Sequence, residues 1–65
     1  MKDLGTRVSA LRGLRDMSQK DLAQLMGTER SWISKLERGV LESITTDSLE
    51  RLANALQTTP AKLLR

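Results

Sequence analysis

Apolar residues enter this chain at helical intervals and leave it at glycine, proline or short polar runs. Leu4, Val8 and Leu11 stand at i, i+4 and i+7, with Leu14 continuing the face, and predict a first helix from about Lys2 to Arg15. Gly5 and Gly13 lower its intrinsic propensity by roughly 1 kcal/mol each relative to alanine, so tertiary packing has to hold it. Leu22, Leu25 and Met26 mark a second stripe over about 19–26, and Ile33 with Leu36 a third over about 29–37. A loop from Gly39 to Thr46 leads to a fourth helix, about Asp47 to Leu56, facing inward with Leu49, Leu52, Ala53 and Leu56. Thr59 before Pro60 is a cap followed by the residue best tolerated at the first helical position, and starts a short last helix carrying Leu63 and Leu64. No β-type alternation competes with these periods, so the fold class is all-α.

The second and third helices are joined by the tightest punctuation in the chain. Ser18 can cap the second helix with Asp21 three residues on, an S-x-x-D form of the capping box. Gly27 stops it, since a residue without Cβ can enter the left-handed conformation and turn the chain sharply. Thr28 or Glu29 begins the next element, in which Ile33 and Leu36 look inward while Arg30, Ser31, Ser34 and Lys35 fall on the outward side. Counted from Gln19, a small residue comes fifth (Ala23), glycine ninth (Gly27), and branched aliphatics fifteenth and eighteenth (Ile33, Leu36). Two helices crossing at close range require that spacing, with Ala23 admitting the partner, and residues 18–39 therefore read as a helix-turn-helix.

This stretch, with its tail ISKLERG, resembles the phage-repressor and Cro-type helix-turn-helix family, also called the xenobiotic-response-element family. The resemblance covers nearly the whole chain. It implies a five-helix, lambda-repressor-like DNA-binding domain over residues 1–65, with the second motif helix lying in the DNA major groove. Arg30, Ser31, Ser34 and Lys35 hold the matching groove positions, though the same residues also suit a plain solvated face. Arg30 is the strongest base reader among them, because its planar fork can take guanine O6 and N7 together; Lys35 and Arg38 serve equally well as phosphate clamps. Gln19 sits in the first turn of its helix, where free N–H groups suit a phosphate oxygen, and the resemblance puts its side chain there too.

In some relatives an arginine of the first helix pairs with the glutamate matching Glu37, and Arg12 occupies the arginine position here. The pair is expected to be structural, orienting the first helix against the third; the alternative is an exposed pair worth under about 1 kcal/mol. Trp32 is expected to pack its ring on the core edge, with an indole N–H free to donate to a phosphate. The loop VLESITT departs from the family pattern by lacking a proline. Thr45, with Ser43 and Thr46 nearby, can donate to phosphate, or Thr45 or Thr46 can cap the fourth helix. Val40, Leu41 and Ile44 close the core or meet a second subunit.

Composition narrows the chemistry. Sixty-five residues with 38% hydrophobic content and a single aromatic build one modest core. Eleven Lys and Arg against eight Asp and Glu leave a net charge of +3, compatible with a phosphate partner. Without Cys or His the usual zinc ligands, thiol nucleophiles and imidazole bases are missing, and no paired carboxylates or nucleophile–base set is recognisable, so no metal, cofactor, small-molecule ligand or enzymatic activity is expected. No run approaches the length of a membrane span and no apolar leader stands at the N-terminus, which makes the cytoplasm the expected location. The chain reads as a sequence-specific transcriptional regulator that binds double-stranded DNA as a homodimer on a two-half-site operator, with Leu63 and Leu64 as the dimer contact. The competing reading is a protein-interaction module of the same fold, an antitoxin or co-regulator.

Overall fold

A computed structural model describes residues 2–64, in which five helices follow one another: α1 (Lys2–Leu14), α2 (Gln19–Met26), α3 (Arg30–Glu37), α4 (Thr46–Ala55) and α5 (Pro60–Leu63). Each of the five expected helices is present, with ends that differ from expectation by one residue: α3 starts after its cap Glu29, α4 starts at Thr46, and α1 and α4 end at Leu14 and Ala55. Ser18 and Asp21 form the complete capping box. The Asp21 N–H donates to Ser18 Oγ at 3.0 Å and the Ser18 N–H donates to Asp21 Oδ2 at 3.0 Å. Thr45 and Thr59 cap α4 and α5 through the N–H groups of Ser48 and Lys62.

The helix ends share one device. At the C-terminus of α2, Gly27 takes φ 71°, its N–H donates to the Gln24 carbonyl, and the Thr28 N–H donates to the Ala23 carbonyl at 2.9 Å. That paired pattern is the Schellman motif, and it recurs after α1, α3 and α4 with Asp16, Gly39 and Gln57 in the left-handed position. Asp16 and Gln57, at φ 54° and 57°, hold that conformation against the clash of their own Cβ.

One buried cluster joins the helices: Leu4 and Val8; Leu22, Ala23 and Met26; Ile33 and Leu36; Leu52, Ala53 and Leu56; and Leu63. α2 packs on α3 and α4, α1 closes over α3, and α5 bridges α4 and α1. Leu11, Trp32, Leu41, Ile44 and Leu49 seal its edge. Two leucines expected to face inward do not. Leu14 is 76% exposed because it lies roughly 80° round the helix from Leu4, beyond the reach of α3. Leu25 is 65% exposed because the buried side of α2 is Leu22, Ala23 and Met26, which centres the stripe on the other flank of Leu22.

The expectation for Leu63 is corrected in the opposite direction. With 0% of its surface exposed it belongs to the core and has nothing to offer a second subunit, whereas Leu64 is 61% exposed. Leu64 follows directly as the C-cap, about 100° further round the turn, and so points away from the face that Leu63 buries. Gly5 explains how α1 tolerates a poor helix former. Its Cα lies against the last turn of α3, where an added Cβ would collide with the Leu36 carbonyl oxygen and come 2.9 Å from that of Glu37.

Candidate nucleic-acid interface

α3 is short, eight residues, and its inward face is spent on Ile33 and Leu36. Apart from Trp32 on the core edge and Glu37 at the last turn, its remaining positions are polar and free to carry chemistry. Arg30, Ser31 and Lys35 are exposed and Ser34 is half-buried. Among the described residues neither the Arg30 nor the Lys35 side chain has a hydrogen-bond or ion-pair partner, so both cations are available to an external acceptor. Arg38 follows the helix and donates from Nε to the Ser34 carbonyl at 3.4 Å, which leaves its terminal nitrogens outward.

Glu29 precedes the helix in extended conformation, but its carboxylate does not fold back to cap α3. It accepts from Ser31 Oγ at 3.3 Å instead. Trp32 is half-buried against the core edge, as expected, and its ring borders a cavity of about 140 Å³ shared with Met26, Thr28, Ser48 and Arg51. Thr45 is exposed, and its oxygen accepts from the Ser48 N–H at 3.1 Å; its hydroxyl proton remains free to donate. Both sequence-derived roles for Thr45 are thus sterically compatible.

Behind this face lies a polar knot that ties three helices together. Arg12 on α1 grips Glu37 on α3 with both faces of its fork, Nε to Oε2 at 2.7 Å and Nη2 to Oε1 at 3.0 Å. Arg12 Nη1 also donates to the Met17 carbonyl at 2.8 Å, in the loop before α2. Gln19 Nε2 completes the knot by donating to Glu37 Oε1 at 3.2 Å. The Glu37 side chain is only 8% exposed. Its hydrogen bonds raise the Arg12 pKa above the ordinary guanidinium value, with burial opposing and the Glu37 charge assisting. The pair is thus the structural one expected, while Gln19 is engaged inward, a partner that spacing could not reveal.

Two further arginines escaped the sequence reading. Arg7 Nη1 donates to the Leu63 carbonyl at 3.0 Å and Arg15 Nε to the Leu56 carbonyl at 3.2 Å, so α1 and the residue that follows it place cations at the last residue of α5 and at the C-cap of α4. Those carbonyls have no helical partner and sit at the negative end of the helix dipole. The only signal in the chain was the spacing of Arg7 and Arg15 on one side of α1, which a solvated face would show equally well. At the start of α2, the Ser18 N–H, followed by its hydroxyl, holds the Asp21 carboxyl below its ordinary pKa.

A family model described as a helix-turn-helix domain matches residues 3–65. Control protein C.SmaI of Serratia marcescens is 36% identical over 61 residues, which are 94% of this chain and 71% of that protein. The crystal structure of the restriction-modification controller protein C.AhdI from Aeromonas hydrophila superposes with a TM-score of 0.89 at 34% identity, covering 95% of this chain and 92% of that one. The solution structure of the DNA-binding domain of the P22 c2 repressor gives a TM-score of 0.87 at 33% identity, covering 94% and 79%. On the match across residues 3–65 and on these relatives, the chain belongs to the phage-repressor and Cro-type helix-turn-helix family.

Proposed function

We propose that this chain is a sequence-specific transcriptional regulator, one domain that binds double-stranded DNA as a homodimer on an operator of two half-sites. The observation that carries the proposal is the outward face of α3, where the Arg30 and Lys35 side chains stand exposed and without a partner among the described residues. An arginine and a lysine left unpaired on a helix that the core holds rigidly are placed to meet acceptors elsewhere. The major groove supplies them as guanine O6 and N7, and its rims as phosphates. In this reading Arg38, Trp32 and Thr45 serve as phosphate donors, Gln19 offers its backbone N–H at the start of α2 because its side-chain amide is given to Glu37, and Ser31 and Ser34 accompany the base-facing side chains. The mechanism is occupancy: phosphates position the protein and base edges select the site. Its place of action is the cytoplasm, where a bacterial chromosome lies. The P22 and C.AhdI relatives, a repressor's DNA-binding domain and a controller protein, support the same reading.

A homodimer follows from the size of the reading head. One eight-residue helix reaches too few base pairs to single out one site in a genome, so two copies on half-sites about one helical turn apart are required. Leu64 serves as the two-fold contact in this reading, which its exposure at the end of α5 supports. Selection of bound sequences from a random duplex pool tests the whole proposal: a palindromic consensus supports it. Retention of no duplex would favour the protein-interaction module instead.

A further inference from the structure

Glu29 is an anomaly on a surface otherwise built to meet DNA. It is the acidic residue at the leading end of α3, exposed, with no cation paired to it among the described residues. A carboxylate there is repelled by phosphates and lowers affinity for every duplex alike, unless it meets a hydrogen-bond donor. Two structural uses of such a residue are not made, and what remains is a carboxylate at the positive end of the α3 dipole, a weak stabilisation at an exposed site. It does not cap α3, and it forms no salt bridge.

The carboxylate is oriented all the same. Ser31 Oγ, two residues on, donates to Oε2 at 3.3 Å and leaves Oε1 free. In a helix-turn-helix the N-terminal residues of the second helix are the ones that reach base edges. Donors in the major groove are few: the N4 amino group of cytosine and the N6 amino group of adenine. Adenine presents N7, an acceptor, beside its donor, which repels a second acceptor. Cytosine N4 has one neighbouring acceptor, O6 of the paired guanine, whereas adenine N6 has two, its own N7 and O4 of the paired thymine. A carboxylate that only accepts therefore distinguishes cytosine.

We propose that Glu29, steadied by the Ser31 hydroxyl, reads a cytosine N4 amino group in each half-site, next to the base read by Arg30. The inference rests on the DNA-binding reading above and names part of its operator. Ser31 in this scheme is a positioning residue and not itself a reader. The neighbouring charges Glu29 and Arg30 complement each other: one requires a donor from the base edge, the other requires two acceptors.

The test is duplex selection with the full chain and with Glu29→Gln, Glu29→Ala and Ser31→Ala, followed by binding titrations on the wild-type consensus and on duplexes changed at each position. Glu29 is exposed and caps nothing, so the variants leave the core intact, and circular dichroism checks that they do. The expected result is one cytosine per half-site whose replacement costs wild type about tenfold or more in affinity, a preference lost in Glu29→Ala. Glu29→Gln should shift that position toward adenine, which offers glutamine both a donor and an acceptor. Ser31→Ala should blunt the cytosine preference without abolishing it. A uniform gain in affinity for all duplexes, with the consensus unchanged, would overturn the proposal and leave Glu29 a repulsive charge. If wild type selects no duplex, the DNA-binding reading fails and this inference with it; an unaltered consensus overturns the inference alone.

Discussion

Arg12 and Glu37 lie 25 positions apart in the chain and meet through two hydrogen bonds of 2.7 and 3.0 Å, with Gln19 Nε2 sharing the Oε1 oxygen. The contact fastens α1 to the last turn of the helix that carries Arg30 and Lys35. It therefore ties the orientation of the outward face to the core. Removing the arginine would leave a carboxylate that is 8% exposed in the intact pair with one weak donor, Gln19, and only the water that the vacated space admits. Arg12→Ala is expected to cost about 2 kcal/mol, between the values for exposed and fully buried pairs. Arg12→Met combined with Glu37→Met should cost less than either single change, because no charge is stranded. Urea unfolding of the four proteins in the methionine cycle, with Arg12→Ala as a fifth, measures both.

Two glycines in one helix should respond to alanine with opposite signs. At Gly5 the added Cβ meets backbone carbonyls of α3, which cannot swing aside as a side chain can, and the variant should lose about 3 kcal/mol or fail to fold. At Gly13 the Cβ enters open space, and alanine should add up to about 1 kcal/mol through helix propensity. Thermal melts of the two variants decide the matter; equal shifts of the same sign would contradict the close approach of α1 to α3.

The left-handed residue after α4 offers a gain by the reverse substitution. Gln57 holds φ 57° and is exposed, so Gln57→Gly removes Cβ strain without opening a cavity. Stability should rise by about 1 kcal/mol, less the entropy glycine adds to the unfolded chain. The denaturation midpoint should move while the slope stays fixed.

On DNA, Arg30 and Lys35 should separate by pattern. Arg30→Ala is expected to cost about 1–3 kcal/mol and to relax one base pair per half-site, whereas Lys35→Ala should weaken all duplexes alike and flatten the salt dependence. Contacts to about six phosphates would give the wild-type chain a slope of log K against log salt of roughly −5. Titrations at several salt concentrations on consensus and scrambled duplexes read both quantities. An unchanged consensus for Arg30→Ala would remove it from the base readers.

The two terminal leucines make a matched pair of probes. Leu64→Glu should keep the helical spectrum and the monomer's stability, yet lower operator affinity by preventing association of two copies. Leu63→Glu places a charge where no surface is exposed and should unfold the chain outright. Sedimentation with circular dichroism distinguishes them. A wild-type chain that stays monomeric at tens of micromolar and binds its operator as one copy would end the dimer proposal.

Local signals were enough to place the five helices, the Ser18–Asp21 box, the turn at Gly27 and the outward positions Arg30, Ser31 and Lys35, because caps, glycine turns and the 3.6-residue period are written within a few residues of one another. Spacing also brought Ile33 and Leu36 inward. What it could not decide was which apolar residues a neighbouring helix would cover. Leu14, Leu25 and Leu63 are alike in chemistry, and only the packing of α2, α3 and α5 leaves two of them in water and one in the core. The same holds for side-chain partners. Gln19 turns to Glu37, and Arg7 and Arg15 to the carbonyls of α5 and α4, because tertiary contact brings together groups 18 to 56 residues apart. Helix periodicity is a property of consecutive residues, while burial and hydrogen bonding belong to pairs of surfaces, and the second of each pair is named nowhere near the first.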